Sequence, residues 1–184
     1  MKATEILMEE HEIILSVLDA LEKGADKLRA GESVPAQFFL DAADFIRNFA
    51  DGCHHMKEEG VLFKTMVERG FPGEHGPIAV MLSEHEQGRD FTHDMGEAAQ
   101  KLAKGDASAR DAVAQAALGY VTLLRAHIQK ENQILFPMAG NFIPESEHDS
   151  VTAAFEEVER KETGAGVHEK YEALAKALRR QMQL

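Results

Sequence analysis

Apolar residues recur along the chain at helical spacing, and no stretch alternates apolar with polar as a strand does. The pattern predicts a first helix over 3–29, with Leu7, His11, Leu15 and Leu18 on one stripe. GESVP ends it, and Pro35 suits the first turn of a second helix running to about Arg69. Ile46, Ala50, His54, Glu58 and Val61 share a face of that helix. After the breaker-rich GFPGEHGP, a third helix is expected from Pro77 to about Lys104, carrying Ile78, Met81, Leu82 and His85. A fourth, from about Ala107 to Met138, aligns Tyr120, Leu124, His127, Glu131, Ile134 and Met138. Beyond NFIPES lies an amphipathic segment, about Glu147 to Lys161. The joint TGAGVH then leads to a last helix ending RRQMQL. The expected fold is all-α: an antiparallel up-down four-helix bundle over about 3–140, with one or two additional C-terminal helices over about 144–184. The whole chain, 1–184, reads as one domain.

Ionisable residues interrupt these apolar stripes twice, in HHMKEEGVLF (54–63) and HIQKENQILF (127–136). His54 matches His127, Lys57 matches Lys130, Glu58 matches Glu131, and Leu62–Phe63 matches Leu135–Phe136. Upstream, Glu-His-Glu occurs at 10–12 and again at 84–86. The lone His11 and His85 are 74 residues apart, and both pairs of the later motif are 73 apart. The chain therefore reads as two copies of one helical hairpin, each giving a lone His and a His-x-x-x-Glu.

Residues i and i+4 share a helix face, so His54 and Glu58 can both point inward, as can His127 and Glu131. A buried carboxylate loses its hydration, and two facing each other repel. A pair of cations reverses that balance, with each Glu bridging both ions and each ion receiving two imidazoles. Nitrogen and oxygen donors without a thiolate suit iron, manganese or zinc. Six protein donors on two ions leave positions for a solvent-derived bridge and an exogenous ligand such as dioxygen. Ferritin-like bundles use Glu-x-x-His instead. The single Glu145-x-x-His148 with that spacing reads as chance.

Composition narrows the setting. The chain has 184 residues, 44% hydrophobic and 28% charged, as an ordinary globular domain does. No apolar run is long enough to span a bilayer, so no membrane partner is expected. MKATEILMEEHE carries acids within its apolar stretch and does not read as a signal peptide. A net charge of -12 repels phosphate backbones and argues against nucleic acid as a partner. The one cysteine, Cys53, cannot form an internal disulfide and reads as a small buried hydrophobe, which fits a cytoplasmic location.

A lone His, His-x-x-x-Glu, a lone His and His-x-x-x-Glu, with CHHMKEEGVLF and AHIQKENQILFP as the two ends, resembles the hemerythrin-like (HHE cation-binding) family over about 3–140. The resemblance implies a four-helix bundle around two iron ions in a non-haem Fe-O-Fe type centre. It further implies a metal-binding protein that binds or senses dioxygen or a related small oxidant. A di-iron enzyme acting on peroxide or nitric oxide, or an iron donor in iron–sulfur repair, is the alternative. Protein partners are unknown. The implied ligands are His11, His54, Glu58, His85, His127 and Glu131, the two Glu bridging. The oxygen carriers of the family have five histidines, with a His-x-x-x-His pair on the third helix, where the positions one turn either side of His85 are Met81 and Arg89. A further ligand would come from His55, His93 or Glu59. By position, His55 is expected at a helix interface or facing solvent, and Glu59 and His93 at the surface. His75, His148 and His168 read as ordinary. No nucleophile triad, phosphate-binding loop or zinc-finger spacing offers a rival site.

Overall fold

The computed structural model describes residues 3–164 and 166–184, and of Glu162 and Thr163 the backbone only. Among the described residues there are six helical rods and no strand. They are α1 (Ala3–Arg29), α2 (36–68), α3 (Pro77–Ala103), α4 (110–142), α5 (148–163) and α6 (Val167–Gln181). Gly76, at φ 77°, adopts a backbone that a Cβ would strain and delivers the chain to Pro77 at the start of α3.

Three rods change pitch. In α2 the α-helix Ala36–Phe45 passes into π-helix over Ile46–His55 and Glu58–Phe63 before closing as Lys64–Glu68. In α4, Arg110–Lys130 passes into π-helix over Glu131–Leu135 and then Phe136–Phe142; α5 ends in Glu159–Thr163 of the same kind. A π turn closes i→i+5 and takes more residues than an α turn. That suits the apolar spacing of α2. Its buried positions Ile46, Ala50, His54, Glu58, Leu62 and Met66 recur every fourth residue. In a regular α-helix each such step drifts about 40° around the axis. The widened segments hold the line on one face.

The same shift corrects the expected face of α4. Ile134 and Met138 are exposed, at 47% and 37%, and the buried residues past Glu131 are Leu135, Phe136 and Ala139. Val61 on α2 is likewise only half-buried, with Leu62 taking the inward place.

α4 packs against α1 and α3, α3 against α2, and α6 lies across α1 and α2. The apolar interior divides in two. The larger cluster includes Ile14, Leu18, Phe38, Phe45, Met95, Val113 and Leu124, with Tyr171 and Leu178 from α6. The smaller includes Leu7 and Met81 from the beginnings of α1 and α3, and Leu62, Phe63, Leu135 and Phe136 from the ends of α2 and α4. Phe155 of α5 seals it. Between the two lies a buried polar layer: Glu10, His11, His54, His55, Lys57, Glu58, His85, His127 and Glu131. Among the described residues, no helix is long and apolar enough to cross a membrane.

Candidate metal centre

Each inward-pointing polar residue is held from behind. The i, i+4 spacing aims His54 Nε2 at Glu58 Oε1, 3.4 Å away, and His127 Nε2 at Glu131 Oε1, 3.2 Å away. The lone histidines close the ring crosswise. His11 Nε2 lies 3.2 Å from Glu131 Oε2, and His85 Nε2 lies 3.4 Å from Glu58 Oε2. Two ligands bound to one ion at about 2.1 Å and at right angles sit roughly 3 Å apart, so these separations are those of neighbours around a cation. All six residues predicted from sequence meet here.

His55 joins them. It is buried, and its ring stacks on His85 at 3.8 Å between centroids and 14° between planes. A ligand atom from each of His55, Glu58, His85 and His127 lies within 4.8 Å of the others; the same holds for His11, His54, Glu58 and Glu131. Glu58 belongs to both groups. Of the two places expected for His55, it takes the helix interface, against His85 of α3, and not solvent. The π geometry of Ile46–His55 narrows the angle between neighbouring side chains, so both histidines of the pair turn inward.

The other two candidates stand apart from the inner ring. Glu59 is one-quarter exposed and accepts a hydrogen bond from His85 Nδ1 at 2.7 Å. His93 is exposed and faces Glu97 on its own helix. His148 is buried elsewhere, on α5.

The outer contacts repeat with the hairpin. Glu10 accepts from His54 Nδ1 at 2.9 Å and pairs with Lys57; Glu84 accepts from His127 Nδ1 at 2.9 Å and pairs with Lys130. His11 Nδ1 donates to Asn132 Oδ1 at 2.8 Å, and Asn132 occupies the repeat counterpart of Glu59. Sequence reasoning matched Lys57 with Lys130 without giving either a role, and passed over the glutamate before each lone histidine. Glu10 and Glu84 are themselves 74 apart, the offset of the lone histidines. That was the signal for them.

These outer acceptors fix the tautomers. A carboxylate only accepts, so Nδ1 carries a hydrogen in His54, His85 and His127, and Nε2 is the atom turned inward, a lone pair for a cation once its own proton has left. His85 Nε2 and His127 Nε2 then face each other at 3.1 Å, a separation that needs a proton or a cation between them. His11 Nε2, His54 Nε2 and all four carboxylate oxygens of Glu58 and Glu131 are buried without a hydrogen-bond partner. So many orphaned acceptors at one point in an apolar interior carry a heavy desolvation cost.

The titration behaviour reflects that crowding. Burial pushes the Glu58 carboxyl up, but the facing His54 and His85 imidazoles outweigh it and hold it well below the usual range. Burial and the neighbouring Glu58 push Glu131 up, and His11 and His127 bring it below its ordinary value. Against its own burial, His54 is raised to about 10 by Glu58 and Glu10, and His127 to about 9 by Glu131 and Glu84. The protons that the metal-free site needs therefore sit on the imidazoles. His55 differs: burial and the adjacent His85 lower it to about 3, leaving it neutral. Burial also raises the Cys53 thiol to about 11, in keeping with a packing role.

The chain is 27% identical over 162 residues to uncharacterized proteins of Mycobacterium tuberculosis and Mycobacterium bovis, covering 88% of its own length. It spans 63% of the length of these curated relatives. No solved structure matches the chain. The family model of the hemerythrin HHE cation-binding domain matches residues 2–139. With a buried ring of imidazoles and carboxylates at its centre, the chain belongs to the hemerythrin HHE cation-binding family.

Proposed function

We propose that the protein is a non-haem di-iron protein that binds or senses dioxygen or a related small oxidant. The observation that carries this is the convergence of the unpaired, buried His11 Nε2, His54 Nε2 and the oxygens of Glu58 and Glu131. Without metal that set must be neutralised by protons on the imidazoles, and a pair of cations replaces those protons while meeting every donor. In this reading His11 and His54 would hold one ion and His55, His85 and His127 the other, with Glu58 and Glu131 within reach of both sides. His55 supplies the fifth imidazole that Arg89 cannot. No thiolate joins either group, which suits iron, manganese or zinc, and the family resemblance selects iron among them.

When bound, the iron pair supplies reversible one-electron chemistry and open positions for an exogenous ligand. The chain's own contribution is orientation and dryness. Glu10, Glu84, Glu59 and Asn132 fix the ring tilts through Nδ1. Phe136 stacks on His11 at 5.4 Å, and Phe63 on His85 at 6.2 Å, keeping bulk water away. We read the scaffold as an up-down four-helix bundle in one domain with α5 and α6. The free, buried Cys53 fits a cytoplasmic setting.

Elemental analysis and an optical spectrum of protein from iron-replete cells test the centre. Two irons per chain, with near-ultraviolet charge-transfer absorption, is the expected result. Absence of metal from a normally folded protein overturns it. Stoichiometric, reversible oxygenation of the reduced protein is expected next; sustained turnover of peroxide or nitric oxide would replace the binding role with an enzymatic one.

A further inference from the structure

A cavity of about 210 Å³ opens beside the polar layer, on the His55 and His85 side only. Its inner wall is those two stacked rings, Asp51 lines it as well, and its rim carries Arg47, Arg89 and His93. Each water-sized group occupies about 30 Å³, so several fit. Tyr120 forms another part of the wall. Its side chain is buried and its hydroxyl has no hydrogen-bond partner. Buried hydroxyls in folded proteins nearly always find one, and an exception asks for a missing occupant.

Two features mark the space as built. Gly88 sits within α3 and lines the cavity, at a backbone φ that does not require glycine. A Cβ there would meet the Tyr120 ring at 3.5 Å, an ordinary contact, so packing does not forbid a side chain. Glycine within a helix is unfavourable, and here its effect is open volume. The charges are also uneven. Arg89 is matched by Asp51 and Glu59. Arg47 makes no ion pair among the described residues, and its guanidinium lies over Gly96. The rim thus keeps one uncompensated positive charge in a chain of net charge -12.

We propose that this cavity binds a small monoanion, of carboxylate or oxyanion type, and that Tyr120 is the hydrogen-bond donor that holds it. Burial pushes the phenol up, so it remains a donor. Arg47 draws the anion in, the Tyr120 hydroxyl fixes one end, and the other end faces His55 and His85. The proposal deepens the metal reading and rests on it only for that second end.

Formate is the probe, being small, singly charged and transparent in the near ultraviolet. The chain has two tyrosines and no tryptophan, so a tyrosine difference spectrum reports on few groups. Tyr171 already pairs with Asp44. Formate is titrated into the full chain, both metal-free and iron-loaded, with iron content measured separately. A saturable tyrosine shift is expected in both forms, retained in Tyr171→Phe and absent in Tyr120→Phe. In iron-loaded protein Tyr120→Phe weakens formate about ten-fold or more, as loss of a hydrogen bond to a charged acceptor should, with iron content unchanged. No saturable shift in the unaltered protein, or a shift that persists in Tyr120→Phe, overturns the proposal. A protein that takes up no iron yet shows the Tyr120 shift overturns the metal reading alone.

Discussion

His11 and His54 line one side of the polar layer, and His55, His85 and His127 line the other; the two sides share a repeat and differ in nearly everything around it. On the first side Ile128 occupies the repeat counterpart of His55, and the neutral amide of Asn132 supports His11 where the carboxylate of Glu59 supports His85. Lys57 is wholly buried there, clamped between Glu10 and Glu159 of α5. Its counterpart Lys130 is 37% exposed beside Glu84. The cavity reaches only the second side. The lone His and the His-x-x-x-Glu recur in both copies, while the inward His55 does not. The side chains placed around the recurring ones diverged, and they decide which side a ligand can reach.

Glu58 offers the largest break, because it belongs to both groups. Glu58→Ala should abolish metal binding, whereas His11→Ala should leave the second side occupied and lower the content from two ions to one, read by elemental analysis. Equal losses in both variants would deny that the sides are separable.

The buried lysine sharpens the contrast next. Lys57→Met removes the buried cation beside Glu10, leaving that carboxylate to His54 alone, and should cost about 3 kcal/mol in denaturant unfolding. Lys130→Met removes a partly hydrated pair and should cost no more than about 1 kcal/mol. Comparable costs would mean that α5 does not close the first side.

The pH response follows from the imidazoles. In the metal-free fold His54 is raised to about 10 and His127 to about 9, so both are protonated at neutral pH. Metal must displace those protons, and uptake at pH 7 should release about two per chain, with affinity rising as pH rises. The raised values stabilise the metal-free fold fully below the unfolded histidine value of about 6.5. That contribution should drain away as pH climbs through 9 and 10. The loaded protein, with both imidazoles already deprotonated, should melt with little change over that window. Calorimetry of the two forms checks this.

The smallest effect is expected at Asn132. Asn132→Asp gives His11 the kind of partner that His85 has in Glu59, and should tighten the first-side ion about ten-fold in a competitive chelator titration.

Much of this was legible in sequence because burial makes polar residues conspicuous. A histidine or glutamate on an apolar stripe violates the usual cost of desolvation, and a repeat at 73 or 74 residues makes chance a poor explanation. What failed did so at the π segments. Ile134 and Met138 were placed inward by α spacing, and Glu131–Leu135 turned them out. His55, a candidate further ligand, falls off the stripe by α spacing because neighbours on an α-helix diverge by about 100°, and Ile46–His55 is not α. The spacing of four from Ile46 to Met66 was the visible trace of that widening. The cavity had no such trace, since it depends on where Tyr120, Gly88 and Arg47 meet in three dimensions.

The most direct test is anomalous scattering at the iron edge from crystals of protein purified from iron-replete cells. The account predicts two peaks flanked by the carboxylates of Glu58 and Glu131, one against His11 and His54 and the other against His55, His85 and His127. No peak at that position, or imidazoles rotated away with Glu58 and Glu131 hydrogen-bonded to each other, would contradict it.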